Sequence, residues 1–441
     1  MIIVENKNPK DPRALAAVSI SYVIVEGKSF SDDLINPNFK NSQDLSFYRE
    51  ICYGVLRHYY ILDYYISILL DRPLKKKNYK IQALLLVGIY QIEFMRTPDH
   101  AAISATVNAA KHLGESWASK LINAVLRNFL RHKKNNTFKK IAEEWVVNYH
   151  PKWLFEKLKL DWPDFCEEIL EYNNSPPPMT LRVNLKKIKR NEYQKLLDKL
   201  NMKHTVDDLT LTGIRLKKPT DIASLPGFEE GYVSIQDSGA QLAANLMGAK
   251  KGMRILDACC APGGKTAHLG ELYENSKLLA IDKNELRLKK VYENLSRLNI
   301  NAKLICSDAN DIKNWWDGST FDRVLIDAPC SGSGIISHHP DIKLLRKKDD
   351  IQKFAKQQIS LLKSLWVTLA VEGELIYCTC SIFPEETNQI IASFLKSTPT
   401  AKILKINANW GIESQYGRQL LPNPNKNGGF FYARLSKTRS E

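Results

Sequence analysis

Two cysteines stand just beyond apolar segments of the kind that form buried strands. Cys330 follows Val324-Leu-Ile-Asp-Ala-Pro, and Cys380 follows Leu375-Ile-Tyr-Cys-Thr. Thiolates are strong nucleophiles, and open α/β sheets bind ligands where their strands end. The sequence therefore predicts nucleophilic chemistry by one or both thiols, although their spacing alone does not rank them. Four other cysteines are interpreted as small buried hydrophobic residues: Cys52, Cys166, Cys306 and Cys378.

A glycine-containing loop follows an earlier predicted strand and leads into a helix. It runs from Asp257 to Thr266 and reads Asp-Ala-Cys-Cys-Ala-Pro-Gly-Gly-Lys-Thr. Gly263 and Gly264 let the backbone approach a ligand closely, and the free amides of the helix N-terminus suit a polar or anionic group. Asp282 and Asp308 end the next two predicted strands, where they could accept hydrogen bonds from ribose hydroxyls and an adenine amino group. Either acid alone could be a helix cap or turn residue. Together with the loop they predict a site for an adenosine-containing cofactor.

Gly264-Lys-Thr266 also resembles the end of a P-loop, which would bind ATP. The loop lacks the second glycine and the spacing of a P-loop, and it does not have the dinucleotide pattern G-x-G-x-x-G. ATP binding is therefore the weaker alternative.

Five predicted strands carry these residues to one edge of a sheet. They alternate with predicted helices, which implies right-handed βαβ units and a mainly parallel sheet. Residues 403–406 and 429–435 are predicted to close the sheet as an antiparallel pair. The five strands are Arg254 to Ala258, Leu278 to Asp282, Ala302 to Cys306, Arg323 to Asp327 and Glu374 to Cys378.

The chain before this region has a different pattern. The apolar segment 81–90 predicts the central helix of a small bundle. A small α/β module is predicted between about residues 145 and 233, where Ser175-Pro-Pro-Pro178 precedes an extended run from Met179 to Asn184. The predicted helices of the bundle are Arg13 to Val25, Leu45 to Leu70, Lys80 to Arg96, His100 to His112 and Ser116 to Arg131.

The chain is strongly basic, with a formal net charge of +15. Lys and Arg that neutralise phosphates release counterions, so nucleic acid is the expected partner. Basic residues at the edges of the bundle are predicted to contact phosphates, although each alone could be a solvated surface residue. They are Lys75, Lys76, Lys77, Lys80, Arg127, Arg131, Lys133, Lys134, Lys139 and Lys140.

Composition argues against several classes of protein. The N-terminus from Met1 to Arg13 is polar, and the sequence has no run of about 18 apolar residues of the kind that spans a membrane. A soluble cytoplasmic protein without a membrane partner is expected. The eight cysteines include no C-x-x-C pair, so neither a disulfide framework nor a metal site is expected.

The motifs around the thiols and the glycine loop resemble those of the RNA cytosine-carbon-5 methyltransferases, the NOL1/NOP2/Sun family. The resemblance rests on Asp257 to Thr266, on Asp327-Ala-Pro-Cys-Ser-Gly-Ser-Gly334 and on Thr379-Cys-Ser381. It extends to the helical N-terminus and to the segments Pro178 to Asn184 and Ser234 to Asp237. The implied architecture has three parts. They are an all-α NusB-like RNA-binding domain (1–140), a small α/β RNA-binding module (145–235) and a C-terminal α/β Rossmann-like class I methyltransferase domain (236–441).

This resemblance implies methylation of carbon-5 of a cytosine in small-subunit (16S) rRNA, with S-adenosylmethionine as cofactor. It implies that Cys380 is the nucleophile and that Cys330 assists product release. DNA cytosine methyltransferases use the cysteine of a Pro-Cys motif, which would select Cys330 instead. The residues implied to contact the cofactor or the target base are Cys259, Cys260, Ala261, Pro262, Gly263, Gly264, Lys265, Asp282, Asp308 and Asp327, with Lys265 and Asp327 at the base.

Such chemistry needs a thiolate, because carbon-5 of cytosine is a poor nucleophile until carbon-6 has been attacked. A free cysteine is only slightly ionised at neutral pH, so positive charge from Lys265 and the cofactor's sulfonium is expected to favour the thiolate of the nucleophile. Asp327 is expected to stabilise charge on the ring. The sequence departs from the family pattern at Cys260, where Ala is usual, and at Ser333, where Thr is common.

Other functions stay open at this point. The same chemistry could act on tRNA or on another rRNA site. A NusB-like binding factor with an inactive methyltransferase domain is a further alternative, although retention of Cys330, Cys380, Asp282 and the glycine loop argues against it. An ATP-dependent RNA protein would bind nucleotide that S-adenosylmethionine does not displace. No feature requires a dimer, so a monomer is expected.

Overall fold

The computed structural model describes residues 10–30, 39, 41–139 and 143–439. Residues 1–9 of the predicted polar N-terminus and the predicted phosphate contact Lys140 lie outside these ranges, and the side chain of Lys139 is not described. The chain divides into two compact units. Unit 1 comprises residues 1–166 and 336–348, and unit 2 comprises residues 167–335 and 349–441.

Unit 1 is helical, as the sequence predicted. Its central helix is α4, which buries every residue from Ala83 to Ile92 and contacts α1, α2, α3, α5 and α6. An apolar helix surrounded by others is the expected core of a small bundle. The helices of unit 1 are α1 (Pro12–Glu26), α2 (Ser42–Arg57), α3 (Tyr59–Leu69), α4 (Tyr79–Phe94), α5 (Asp99–His112), α6 (Ser119–Lys134), α7 (Glu144–Val147), α8 (Lys152–Asp161) and α14 (Ile342–Leu345).

The single helix predicted over 45–70 is wrong, because the structure has two helices separated at His58. This residue has φ −106° and ψ 15°, outside the helical region. Its ring stacks on Phe94 with centroids 4.1 Å apart, and its Nδ1 lies 2.9 Å from the carbonyl oxygen of Gly54. Packing of the partly buried ring accompanies the break, and no proline marks it in the sequence.

Residues 336–348 belong to unit 1, although they follow the loop that carries Cys330. Asp341 accepts hydrogen bonds from the Ser29 hydroxyl (2.7 Å) and the Phe30 amide (3.0 Å). Lys343 is buried and donates to the carbonyl oxygens of Arg57 (3.0 Å) and Tyr149 (3.1 Å). Burial holds the pKa of Lys343 well below its usual value. Polar contacts, as well as apolar packing, therefore hold this segment in the helical unit.

Unit 2 contains two sheets. The smaller is wholly antiparallel, in the order β2-β3-β1-β4. Its strands are β1 (Met179–Val183), β2 (His204–Val206), β3 (Gly213–Leu216) and β4 (Val233–Ile235). The helices along this part of the chain are α9 (Cys166–Asn174), α10 (Arg190–Lys199) and α11 (Ser238–Leu246).

The larger sheet has nine strands, with the order β11-β12-β13-β9-β8-β5-β6-β7 and β10 paired with β13. Pairing from β9 to β7 is parallel, as predicted, and β10, β11, β12 and β13 are antiparallel. The strands are β5 (Arg254–Ala258), β6 (Lys277–Asp282), β7 (Lys303–Cys306), β8 (Phe321–Asp327), β9 (Leu369–Thr379), β10 (Ala401–Leu404), β11 (Ile412–Ser414), β12 (Gly417–Leu420) and β13 (Phe430–Lys437). The helices are α12 (Gly264–Leu272), α13 (Glu285–Leu298), α15 (Asp350–Thr368) and α16 (Asn388–Ser397).

One cysteine prediction is wrong. Cys306 is exposed, whereas Cys52, Cys166 and Cys378 are buried as predicted. Cys306 ends β7, which lies at the edge of the sheet. An edge strand has no neighbour on its outer side to cover its last residue.

Candidate active site

The predicted chemical residues meet at the carboxyl edge of the large sheet. The adjacent parallel strands β6, β5, β8 and β9 end near Asp282, Ala258, Asp327 and Thr379. Because neighbouring parallel strands end at the same edge, the loops that follow them lie side by side. This topology brings together residues far apart in the chain.

The two thiols are in contact. Cys330 Sγ lies 3.3 Å from Cys380 Sγ, and both side chains are partly buried. Backbone hydrogen bonds align the two loops, from the Ala328 amide to the Cys378 carbonyl (2.8 Å) and from the Gly334 amide to the Cys380 carbonyl (2.9 Å). One small substrate ring could therefore reach both thiols.

Lys265 and Asp327 form an ion pair beside the thiols. Lys265 Nζ lies 2.7 Å from Asp327 Oδ2, and 5.5 Å from the centre of the Phe430 ring. Burial alone would lower the pKa of Lys265, but the acidic groups around it, Asp327 first, raise that pKa overall. Lys265 therefore stays charged, and Asp327 balances much of its field.

The electrostatics at Cys380 differ from the expectation of a lowered pKa. The hydrogen bond with Cys330, together with burial, raises the pKa of Cys380 well above its usual value. Lys265 lowers this pKa, as predicted, but it is outweighed. Asp327, which forms the ion pair with Lys265, also raises the pKa of Cys380. Without further positive charge the Cys380 thiol stays protonated.

The glycine loop is fixed by backbone contacts from neighbouring elements. The Cys260 amide donates to the Ile281 carbonyl (2.9 Å), and the Ala261 amide donates to Asp282 Oδ2 (3.1 Å). Gly263 has φ +99°, a left-handed conformation that favours glycine, and caps α12. These contacts fix the backbone of the loop.

A cavity of about 180 Å³ opens beside this loop. Cys259, Asp282 and Asp308 line it, as predicted for a cofactor site, together with apolar groups that include Ile281 and Leu361. Carboxylates can accept hydrogen bonds from ribose hydroxyls and an adenine amino group, while an apolar wall suits the adenine ring. The residues present therefore fit an adenosyl group. Burial and the nearby carboxylates raise the pKa of Cys259 to about 12.

The other predicted cofactor residues are not among those that line this cavity. Cys260 and Ala261 are buried within the loop, Pro262 is exposed, and Gly263 and Gly264 lead into α12. The structure describes no group of three or more His, Cys, Asp or Glu side chains that could hold a metal ion in the parts of the chain it covers. Within the same residues, none of the helices is long and apolar enough to cross a membrane.

Sequence reasoning missed three residues that support the loop. Arg287 and Asn294, both on α13, donate to the carbonyl oxygens of Ala261 and Pro262, with Asn294 Nδ2 at 3.1 Å. Arg182, on β1, is fully buried and donates to the Gly264 carbonyl (2.8 Å). The seven-residue spacing of Arg287 and Asn294 on one helix face is the only signal for them in the sequence.

Comparison with known proteins identifies the family. A family model described as 16S rRNA methyltransferase RsmB/F matches residues 244–436. The NusB family model matches residues 10–131, and a model of the ferredoxin-like domain of RsmF/B-like methyltransferases matches residues 150–223. Ribosomal RNA small subunit methyltransferase B of Pseudomonas syringae pv. tomato is 42% identical over 438 residues, which cover 98% of this chain and 98% of that protein.

The chain belongs to the RsmB/F family of 16S rRNA methyltransferases. Its cofactor is accordingly S-adenosylmethionine. The predicted fold class is also confirmed, since the chain has a NusB domain, a small α/β module and a methyltransferase domain. The solved structure of PH0851 shares the fold of this RsmB/F-family chain, with a TM-score of 0.81 at 24% identity and coverage of 97% of this chain and 99% of that one. A methyltransferase homologue from Pyrococcus horikoshii has a TM-score of 0.59 at 29% identity, covering 66% of this chain and 97% of its own.

Proposed function

We propose that this enzyme methylates carbon-5 of a cytosine in 16S rRNA through a covalent bond between Cys380 and the base. The observation that carries the proposal is the 3.3 Å contact between the sulfur atoms of Cys330 and Cys380 at the ligand edge of the sheet. Two adjacent thiols suit a reaction in which one thiol attacks the ring and another group must later remove a proton. The relatives of this chain are named as small-subunit rRNA methyltransferases, which supports the substrate class.

In the proposed first step, Cys380 releases its proton to solvent and its thiolate attacks carbon-6 of the cytosine. The attack makes carbon-5 nucleophilic, like the carbon of an enamine. A stacked base hides carbon-6, so the target cytosine must leave its stack before attack. Because the hydrogen bond with Cys330 and burial raise the pKa of Cys380, added positive charge favours this step. When bound, S-adenosylmethionine supplies both that charge and an electrophilic methyl group on its sulfonium.

Lys265 and Asp327 are proposed to recognise the base. The Asp327 carboxylate can accept a hydrogen bond from the cytosine amino group, and once protonated it can donate to the ring nitrogen, which stabilises charge in the ring after attack. Lys265 keeps Asp327 oriented, since the two form a 2.7 Å ion pair. We assign the adenosyl group to the cavity lined by Cys259, Asp282 and Asp308.

Cys330 is proposed to complete the reaction. After methyl transfer, carbon-5 carries both a methyl group and its original proton. Cys330, after releasing its own proton to solvent, takes the carbon-5 proton. The electron pair of the broken C–H bond forms the double bond between carbon-5 and carbon-6 and expels Cys380 as a thiolate, which restores the aromatic ring. Loss of Cys330 should therefore trap the adduct rather than prevent it.

The rRNA-binding parts are proposed to be the NusB-like domain (1–140) and the small module (145–235), with catalysis in 236–441. The exposed residues Arg127, Arg131 and Lys134 on α6 support a phosphate-binding role for the NusB-like domain. Lys133 is engaged with Glu93 at 3.0 Å, so it contributes less free charge. A monomer in the cytoplasm remains our proposal.

The test uses wild type, Cys380→Ala and Cys330→Ala with labelled S-adenosylmethionine and separate pools of rRNA and tRNA. We expect wild type to make 5-methylcytosine in 16S rRNA, Cys380→Ala to make neither product nor adduct, and Cys330→Ala to accumulate a denaturation-resistant protein–RNA adduct. Exposed Cys306 provides the matched control, since Cys306→Ala should behave as wild type.

Other results would change the assignment. If Cys380→Ala forms an adduct and Cys330→Ala forms none, Cys330 is the nucleophile and Cys380 is the residue that assists product release. Methylation confined to tRNA would replace the substrate. No methylation of any RNA by wild type would favour a binding factor instead.

A further inference from the structure

One buried carboxylate connects the two loops that carry the thiols. Each cysteine is followed by a serine, Ser331 after Cys330 and Ser381 after Cys380. Both serines are buried, and both donate their hydroxyl hydrogen to Glu386, whose side chain is fully buried. The two loops thus share one acceptor.

The contacts of Glu386 are short and use both carboxylate oxygens. Oε1 accepts from the Ser331 amide (2.8 Å) and from Gln358 Nε2 (3.2 Å). Oε2 accepts from the Ser331 hydroxyl (2.5 Å) and the Ser381 hydroxyl (2.6 Å). Hydrogen bonds to an ionised acceptor are shorter and stronger than neutral ones, so this arrangement resists displacement of either loop.

Glu386 is itself held in place by contacts with strand β9 of the large sheet and with helix α15. Its carbonyl oxygen accepts from the Tyr377 hydroxyl on β9 (2.9 Å). Gln358 on α15 donates both to Glu386 and to the carbonyl oxygen of Pro329, the residue before Cys330 (3.0 Å). Ser331 therefore connects through Glu386 to strand β9, and Pro329 connects through Gln358 to helix α15.

The charge of this carboxyl group is opposed by burial and favoured by its donors. Burial raises the pKa of Glu386, and the hydrogen bonds from Ser331 and Ser381 act against that rise. Loss of the carboxylate would leave buried donors on both loops without an acceptor, which is costly. The loops could then regain partners only by moving apart or rotating.

We propose that Glu386 is a positioning residue that fixes the separation and orientation of the Cys330 and Cys380 thiols. This inference rests on the proposed function in one respect, namely that both thiols take part in the reaction. Its distinguishing consequence is that a change at Glu386 perturbs attack and product release together, whereas each cysteine variant blocks one of them.

The first test measures thiol geometry without activity. Full-length protein is treated with diamide, which takes up the two protons and two electrons released when Cys330 and Cys380 form a disulfide, and the bond is quantified by peptide mass. We expect Glu386→Gln to form it more slowly than wild type, by on the order of tenfold. Glu385→Gln, the same change one residue earlier on the same turn, should match wild type. The alkylation rates of Cys330 and Cys380, each measured separately, correct the rate of disulfide formation for differences in the reactivity of the two thiols.

The second test follows a single turnover on rRNA. In Glu386→Gln we expect slower formation and slower decay of the adduct, with an unchanged KM for S-adenosylmethionine. Ser331→Ala and Ser381→Ala each remove one hydroxyl donor and keep the carboxylate. They should show smaller defects in both steps, and they replace Glu386→Gln if that variant fails to fold.

The results separate this inference from the proposed function. If wild type forms no adduct but Glu386→Gln still slows disulfide formation, the proposed reaction is wrong and the positioning role stands. If Glu386→Gln matches Glu385→Gln in both tests, the positioning role is refuted. Loss of S-adenosylmethionine binding in the Glu386 and serine variants alike would also refute it, since that pattern indicates a general structural role.

Discussion

The ammonium group of Lys265 lies 2.7 Å from a carboxylate oxygen of Asp327, although the two residues are on a helix and a strand 62 positions apart. Lys265 lowers the pKa of Cys380. Lys265→Met removes this positive charge and should therefore raise the pKa of Cys380 further above its usual value. We expect adduct formation to slow on the order of 100-fold at neutral pH. We also expect the pH at which its rate is half-maximal to rise. Rates measured between pH 6 and 10 test this, with exposed Lys289→Met as control. An unshifted pH profile would contradict the assignment.

Asp282 is expected to hold the ribose of the cofactor. It lines the cavity, is nearly buried, and accepts hydrogen bonds from the Ala261 and Asn284 amides at 3.1 and 2.9 Å. Asp282→Ala should weaken S-adenosylmethionine binding by about 10- to 100-fold, the effect of losing a charged hydrogen-bond acceptor. Titration calorimetry measures the change, and Glu293→Ala, an exposed acid on α13, is the control. Equal affinities would remove Asp282 from the site.

Stability should depend on pH through Asp257, which is fully buried and accepts a hydrogen bond from Thr266 (2.6 Å). Burial raises the pKa of Asp257 to about 7. The folded protein therefore binds this proton more tightly than the unfolded chain, whose aspartates have a pKa of about 3.9. Its contribution to the free energy of unfolding is complete below about pH 4 and is lost as pH rises through about 7, with a total of about 4 kcal/mol.

Asp257→Asn should remove this dependence of the free energy of unfolding on pH. Urea unfolding at several pH values between 4 and 8 would detect the reduced slope. Exposed Asp208→Asn should keep the wild-type slope. A variant with the same slope as wild type would mean that another group carries it.

Gly334 packs against another glycine. A β-carbon at Gly334 would lie 2.2 Å from the carbonyl oxygen of Gly429, whose amide donates to the Gly334 carbonyl at 2.6 Å. Gly334→Ala must displace the loop that carries Cys330, so we expect a loss of about 1–3 kcal/mol in the free energy of unfolding together with loss of methylation. Gly318→Ala meets no atom within 4 Å and carries only the strain of its positive φ. Full activity in Gly334→Ala would argue against a fixed loop.

Arg182 and Glu271 form a buried ion pair with two contacts, at 3.0 and 2.7 Å. Arg182→Met leaves the Glu271 carboxylate buried without a partner, which should lower the free energy of unfolding by about 3–5 kcal/mol. Arg182→Met with Glu271→Leu removes both charges and should recover most of that loss. Chemical denaturation of the single and double variants measures both effects. An equal loss in the double variant would show that the Gln236 and Gly264 contacts of Arg182 matter more.

Much of the fold could be predicted because short apolar runs and turn residues are local signals. Strand β5 has the predicted bounds, and β6 and β7 differ from theirs by one residue. Strand β9 begins five residues before its predicted start, and β11 and β12 were not predicted. Short strands in a polar tail have no apolar run to mark them, since pairing with their neighbours stabilises them.

The sequence by itself determined which residue types stand at the strand ends, and with them the class of chemistry. Only the tertiary structure decided which of them touch. Cys330 and Cys380 are 50 positions apart, and Glu386 meets Ser331 across 55. Only the tertiary structure also decided that Cys306 is exposed and that residues 336–348 belong to the helical unit. Contacts across such separations depend on how strands order in the sheet and how loops pack over its edge, and no local pattern encodes either.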